Sequence, residues 1–91
     1  MKAYNRVNRM GVRYTLVELV DGGTEIQLTG KSKKIHTTHD IETISQGWYH
    51  YMNGKMVQDA FEFMSSDERE FIMTGITGAE WDAMFKNTEE Y

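Results

Sequence analysis

Asp21-Gly22-Gly23 falls between two runs that alternate apolar and polar side chains, and this arrangement commits the first third of the chain to a β-hairpin. Glycine takes positive φ without a Cβ clash, which the tight turns that match strand twist require. Before the turn, Val12 to Val20 is rich in β-branched and aromatic residues, with Tyr14 and Leu16 on one parity and Arg13, Thr15, Val17 and Leu19 on the other. After it, Thr24 to Thr29 places Ile26 and Leu28 on one face. The hairpin therefore spans about 12–29. Two strands alone are marginal in water, so a covering helix or a third strand is needed, and residues 2–8 and 33–37 are the candidates for that strand.

Past the polar, basic connection from Gly30 to Lys34, the apolar period changes from two to between three and four. Thr37 or Thr38 is placed to cap a helix over 38–53, with Asp40 three residues beyond Thr37 as in a capping box. Its apolar stripe is Ile41, Ile44, Trp48, Tyr51 and Met52. Gly47 within it costs roughly 1 kcal/mol relative to alanine, and Asn53-Gly54 stops it. Met56, Val57, Ala60, Phe61 and Met64 predict a helix over 55–64. Ser65 with Glu68 caps a third, 66–74, that turns Phe71 and Ile72 inward before Gly75 closes it. Thr77 with Glu80 caps a fourth, 78–86, with Trp81, Met84 and Phe85 on one side, and the tail from Asn87 to Tyr91 is expected to fray. The predicted fold is α+β, one domain over 1–91: an N-terminal hairpin, or a three-stranded antiparallel sheet, packed against three or four short helices.

Ninety-one residues bury a modest core, and without cysteine neither a disulfide nor a thiolate metal site can reinforce it. A partner chain is one remedy. The sequence predicts a homodimer, joined by edge pairing of the 12–20 or 24–29 strand or by a helical face bearing exposed methionine and aromatic residues; the alternative is a monomer in which residues 2–8 supply a third strand. No run approaches the length of a membrane span and no apolar segment follows the first basic residues, so a cytoplasmic location is expected. Charge divides unevenly. Residues 1–40 hold seven bases against four acids, and residues 41–91 hold three against ten.

Chemistry-bearing residues are plentiful but form no strong constellation. His36, His39 and His50, with Asp40 or Glu42, make a thin metal set, because structural zinc without thiolate is uncommon and histidines at a helix start are ordinary. Glu80 and Asp82, and Asp67, Glu68 and Glu70, are carboxylates that capping and solvated helix faces already explain. No phosphate-cradling glycine motif and no nucleophile with an evident base is present. The expectation is a protein without catalytic residues, metal or cofactor.

Arg6, Arg9, Arg13, Lys31, Lys33 and Lys34 can form one basic patch with Tyr4 and Tyr14 available to stack on bases, which makes a nucleic-acid-binding accessory the alternative function. The isoelectric point near 5.3 argues against it. A helix-turn-helix around Thr74-Gly75-Ile76-Thr77 would carry Glu80 and Asp82 toward phosphate. The reverse idea, acids imitating DNA, meets a charge density far below the duplex's one charge per about 1.7 Å.

The stretches Val57-Gln58-Asp59-Ala60-Phe61, Ser65-Ser66-Asp67-Glu68-Arg69-Glu70-Phe71, Thr74-Gly75-Ile76-Thr77 and Glu80-Trp81-Asp82-Ala83-Met84-Phe85 resemble a tail shared by small uncharacterised proteins encoded by bacteriophages. The resemblance covers about the last thirty residues. Those tails carry proline after the Ala-Phe pair, where this chain has Glu62, which bears on where the 55–64 helix ends. The resemblance implies a phage origin, and with it a non-enzymatic inhibitor of a host or anti-phage defence protein acting in the host cytoplasm. Surface residues that capping leaves unexplained, Tyr49, His50, Lys55 and Phe63, are the candidate partner-binding set.

Overall fold

Four runs of alternating side chains pair in the order in which the chain makes them: β1 (Ala3–Val7), β2 (Arg13–Glu18), β3 (Thr24–Leu28) and β4 (Lys34–Thr37) form one antiparallel sheet. The computed structural model describes the backbone of residues 1–89 and the side chains of residues 1–84. Helices follow the sheet: α1 (Ile41–Met52), α2 (Val57–Ala60), α3 (Ser66–Thr74) and α4 (Gly78–Glu89). The class is α+β as expected, with one strand more than the hairpin and its single added strand: both candidate segments are used, one on each side.

That outcome removes the dimer edges expected from sequence. β2 lies between β1 and β3, and β3 between β2 and β4, so neither the 12–20 nor the 24–29 strand has a free edge. The hairpin register is as the parity predicts, Leu16 opposite Ile26 and Tyr14 opposite Leu28. At its turn Gly22 has φ +92°, while Gly23 is required for a different reason: a Cβ there would sit 2.5 Å from the carbonyl oxygen of Thr37 on β4.

One face of the sheet is covered. Tyr14, Leu16, Ile26 and Leu28 meet Ile41, Ile44, Trp48 and Tyr51 of α1, Phe61 and Met64 after α2, and Phe71 and Ile72 of α3 in a single core. Tyr14, Trp48, Phe61 and Phe71 touch edge to face, with Tyr14 and Trp48 centroids 5.1 Å apart. The other face carries mostly polar residues, Asn5, Arg13, Thr15, Glu25, Gln27, Lys34 and His36, with Ala3, Val7 and Val17 among them, and no helix among the described residues packs on it.

Several local expectations are corrected. Asp40, not Thr37 or Thr38, caps α1, its carboxylate accepting the Thr43 N–H at 3.0 Å; Thr37 belongs to β4 and is buried. Met52 leaves the α1 stripe and is 41% exposed, because Tyr51 takes the inward position beside it. The 55–64 helix shrinks to α2, since the chain leaves helical geometry at Phe61 to drive its ring onto Gly47; the site of Glu62 lies in the turn that follows. The capping box of Ser65 and Glu68 and the left-handed Gly75 at the end of α3 are present as predicted. Thr77 and Glu80 also bond reciprocally, Thr77 N–H to Glu80 Oε1 at 2.9 Å and Glu80 N–H to Thr77 Oγ1 at 3.2 Å. The last helix runs to Glu89, past the predicted end, while the expected placement of Phe85 and the final two residues lies outside what is described.

Candidate functional site

At the end of the sheet where β1 turns into β2, Asn8 is buried and organises the loop. Its Oδ1 accepts the N–H groups of Met10 and Val12, both at 2.9 Å, and its amide donates to the carbonyls of Ile72 and Met73 at 2.9 and 3.0 Å. Arg9, next in the chain, donates to the carbonyls of Tyr51 and Lys55 and lies over the Tyr51 ring, 4.3 Å from its centroid. A cation there meets the carbonyl-rich end of α1, where the helix dipole favours it. With Asn8 and Arg9 both bonded to the helical layer, Met10 after them is 75% exposed.

The result is a recess of about 180 Å³ lined by Arg9, Met10, Tyr51, Val57 and Met73. Met56 precedes Val57 and is 58% exposed, and Lys55 and His50 stand at the same α1–α2 turn, the Lys55 N–H bonded to the His50 carbonyl at 3.0 Å. Tyr49 lies against His50, ring centroids 5.5 Å apart, and is 66% exposed. Three of the four partner-binding candidates are thus neighbours. Phe63 is not among them: it is half-buried, packed on His39 at 4.7 Å and on Phe61 at 6.1 Å. Met10, Met56 and Met73 are the residues that sequence reasoning missed. The signal available was an apolar Met10 beside Gly11, in a turn with no core to fill.

The basic set does not assemble. Arg9 is spent on the carbonyls of Tyr51 and Lys55; Lys33 bridges Glu80 at 2.9 Å and reaches the Gly75 carbonyl at 3.3 Å. Arg6 donates to the Asn5 carbonyl and lies over Tyr4. Lys34 is 3.6 Å from Glu25. Arg13 borders an open depression of about 420 Å³ with Asn5, Arg6, Val7, Tyr14 and Thr29, and Lys31 is exposed on the β3–β4 turn. Neither tyrosine offered for base stacking faces that side: Tyr14 is fully buried and Tyr4 donates to Glu42 at 3.1 Å.

The histidines also lie apart. His36 Nε2 is 3.7 Å from Asp21, His39 Nε2 is 3.0 Å from the Phe63 carbonyl oxygen, and His50 is at the far end of α1. Among the described residues no three metal-ligating side chains converge. Of the carboxylates, Glu80 is held below its ordinary range by the Thr77 backbone N–H and by Lys33, and Glu42 by Lys2 and Tyr4, so both favour the ionised, bonded state of a structural group. No helix among the described residues is long and apolar enough to cross a membrane. No protein-family model, curated protein or solved structure matches the chain.

Proposed function

We propose that the chain is a non-enzymatic protein-binding module whose working surface is the methionine-lined end of the sheet, Met10, Met56, Val57 and Met73, rimmed by Tyr49, His50 and Lys55. The observation that carries this reading is Met10, 75% exposed in a turn whose preceding residues Asn8 and Arg9 are bonded to α3 and to the end of α1. Methionine is unbranched and polarisable, and it suits a surface that must fit another protein's apolar relief. A contiguous exposed apolar patch rimmed by polar residues is a mark of an interaction site. The partner class is a bacterial host or anti-phage defence protein acting in the host cytoplasm, supported by the resemblance of the tail to phage-encoded proteins.

The test compares capture from a bacterial host lysate by the native chain and by a Met10→Ser/Met56→Ser variant of equal melting temperature. A protein retained by the first and lost by the second supports the reading, and identical capture refutes it.

A second reading, nucleic-acid binding through Arg13, Lys31 and Lys34, is favoured by one observation, the depression that Arg13 and Arg6 border on the open sheet face. Replacing Arg13 and Lys31 by alanine should then flatten the dependence of affinity on salt, and absence of binding at low salt eliminates it.

A further inference from the structure

β1 is an outer strand and pairs only with β2. Two bonds show which way its backbone points: Glu18 N–H donates to the Lys2 carbonyl at 2.8 Å and Asn8 N–H to the Val12 carbonyl at 2.9 Å. Residues of an antiparallel ladder alternate between exchanging both bonds with the partner and exchanging neither. Lys2, Tyr4, Arg6 and Asn8 therefore bond toward β2, and the N–H groups of Ala3, Asn5 and Val7 point away from the sheet. Of the outward carbonyls, Asn5 accepts from Arg6 and Val7 from the Trp48 indole, both at 2.8 Å, each with a lone pair to spare.

Exposed edges are normally blunted by charge, proline, a bulge or a covering segment. Proline and bulge are absent, since the chain lacks proline and the register with β2 is unbroken, and although Arg6 lies on the strand the outward-bonding residues Ala3, Asn5 and Val7 are uncharged. Nor is it flat against solvent. Between the edge and α1 lies a recess of about 280 Å³ lined by Arg6, Ser45, Trp48, Tyr49, Met52 and Asn53. Ser45 Oγ is buried there with no hydrogen-bond partner among the described residues.

We infer that this edge and recess form the seam for a second copy of the chain, β1 pairing antiparallel with β1 of the copy about a two-fold axis through Asn5. The strand is self-complementary in that register. Reversed upon itself, Ala3-Tyr4-Asn5-Arg6-Val7 sets Asn5 against Asn5 and Ala3 against Val7 on the open face, and Tyr4 against Arg6 on the helical face. The outward-bonding residues of one strand meet those of the other, so the ladder continues without a slip. Arg6 already lies 5.0 Å from the Tyr4 centroid within one chain, and the axis provides the same cation and ring twice more between chains. Tyr49 and Met52 overhang the added strand and gain apolar cover. An unrelated strand would find the backbone donors but not this match of side chains. The seam shares Tyr49 with the rim of the methionine surface but uses none of Met10, Met56, Val57 or Met73, so either reading can fail alone.

Light scattering on the full chain, over a series reaching the hundred-micromolar range, should give twice the 10.6 kDa chain mass. Asn5→Pro removes an N–H that faces away from β2, so the fold survives while dimer dissociation strengthens by roughly tenfold or more. Asn5→Lys and Asn5→Asp each set like charges on the axis and should be monomeric alone, yet form a heterodimer when mixed, an outcome that requires residue 5 of one copy beside residue 5 of the other. Circular dichroism confirms that each variant is folded, and the mixing experiment needs no proline variant. A constant mass of one chain, a dimer indifferent to both charged variants, or no recovery on mixing overturns the proposal, as does a monomer that instead takes an unrelated extended peptide along β1.

Discussion

The phenolic oxygen of Tyr14, on β2, lies 2.7 Å from the carbonyl oxygen of Phe71, in the last turn of α3 fifty-seven residues away. The end of a helix leaves its final carbonyls without intrahelical donors. Tyr14 and Asn8 supply donors from the sheet, so the clasp between the two layers is also the cap of α3.

Tyr14→Phe keeps the ring in the core and removes the donor, while Phe71 keeps the Gly75 N–H and Ile72 the Asn8 amide. The expected loss is about 0.5–1.5 kcal/mol in urea unfolding. A change within error would mean the clasp is incidental.

The same hydroxyl gives a pH signature. Burial, the largest influence, pushes its pKa up to about 12, whereas the unfolded chain holds it near 10.0. The folded state thus binds the proton more tightly. Its contribution is complete below about pH 10 and falls as pH rises from there toward 12. The stability gap between native chain and Tyr14→Phe should narrow across that interval; Lys2 and the other groups titrate in both proteins and cancel. A gap independent of pH would contradict the assignment.

Asn8 and Tyr14 both reach the Ile72 carbonyl, at 2.9 and 2.8 Å. Residues sharing a partner are not energetically independent. A cycle of Asn8→Ala, Tyr14→Phe and the double variant should return a coupling of about 0.5–3 kcal/mol, and strict additivity would deny a shared network.

Gly47 sits in the middle of α1, where alanine should favour the helix by roughly 1 kcal/mol. Packing reverses the sign. An added Cβ would lie 2.6 Å from the Phe61 ring and 2.9 Å from the Ala60 carbonyl oxygen. Gly47→Ala is expected to lower stability by about 1–3 kcal/mol, and Phe61→Leu in the same chain to remove part of that overcrowding. A more stable Gly47→Ala protein would show that the two helices separate freely.

Acid should weaken the attachment of α4. Glu80 is depressed below 4.5 when folded, by the Thr77 N–H and then by Lys33, so its contribution is present above that value and lost as pH falls through the lower folded pKa. Glu80→Gln should show a shallower decline of melting temperature below about pH 4.5 than the native chain. Parallel curves would exclude the effect.

The hairpin, the two later capping boxes and the inward set of Tyr14, Leu16, Ile26 and Phe71 were legible because each depends on a period or a spacing that local chemistry imposes. What was not legible depends on distant contact. Met52 and Tyr51 both fit the α1 stripe, and it is Tyr51 that turns inward, onto Phe61 from α2 and under Arg9 from the β1–β2 turn. Lys33 and Arg9 read as free cations until Glu80 and the end of α1 are brought to them. The candidate surface was half visible, Tyr49, His50 and Lys55 being adjacent along α1 and its turn, whereas Met10 joins them only through the tertiary bonds of Asn8 and Arg9.

Each strand of the sheet neighbours the next in the chain, so every strand pairing closes over a short loop and costs little entropy. The Tyr14 clasp is different, because it closes over most of the protein's length. The meander is therefore expected to form ahead of the docking of α3, placing the clasp on the native side of the folding barrier. Weakening it should steepen the escape from the folded state while leaving the rate of entry almost untouched, so that in denaturant-dependent kinetics the unfolding limb moves and the refolding limb stays in place.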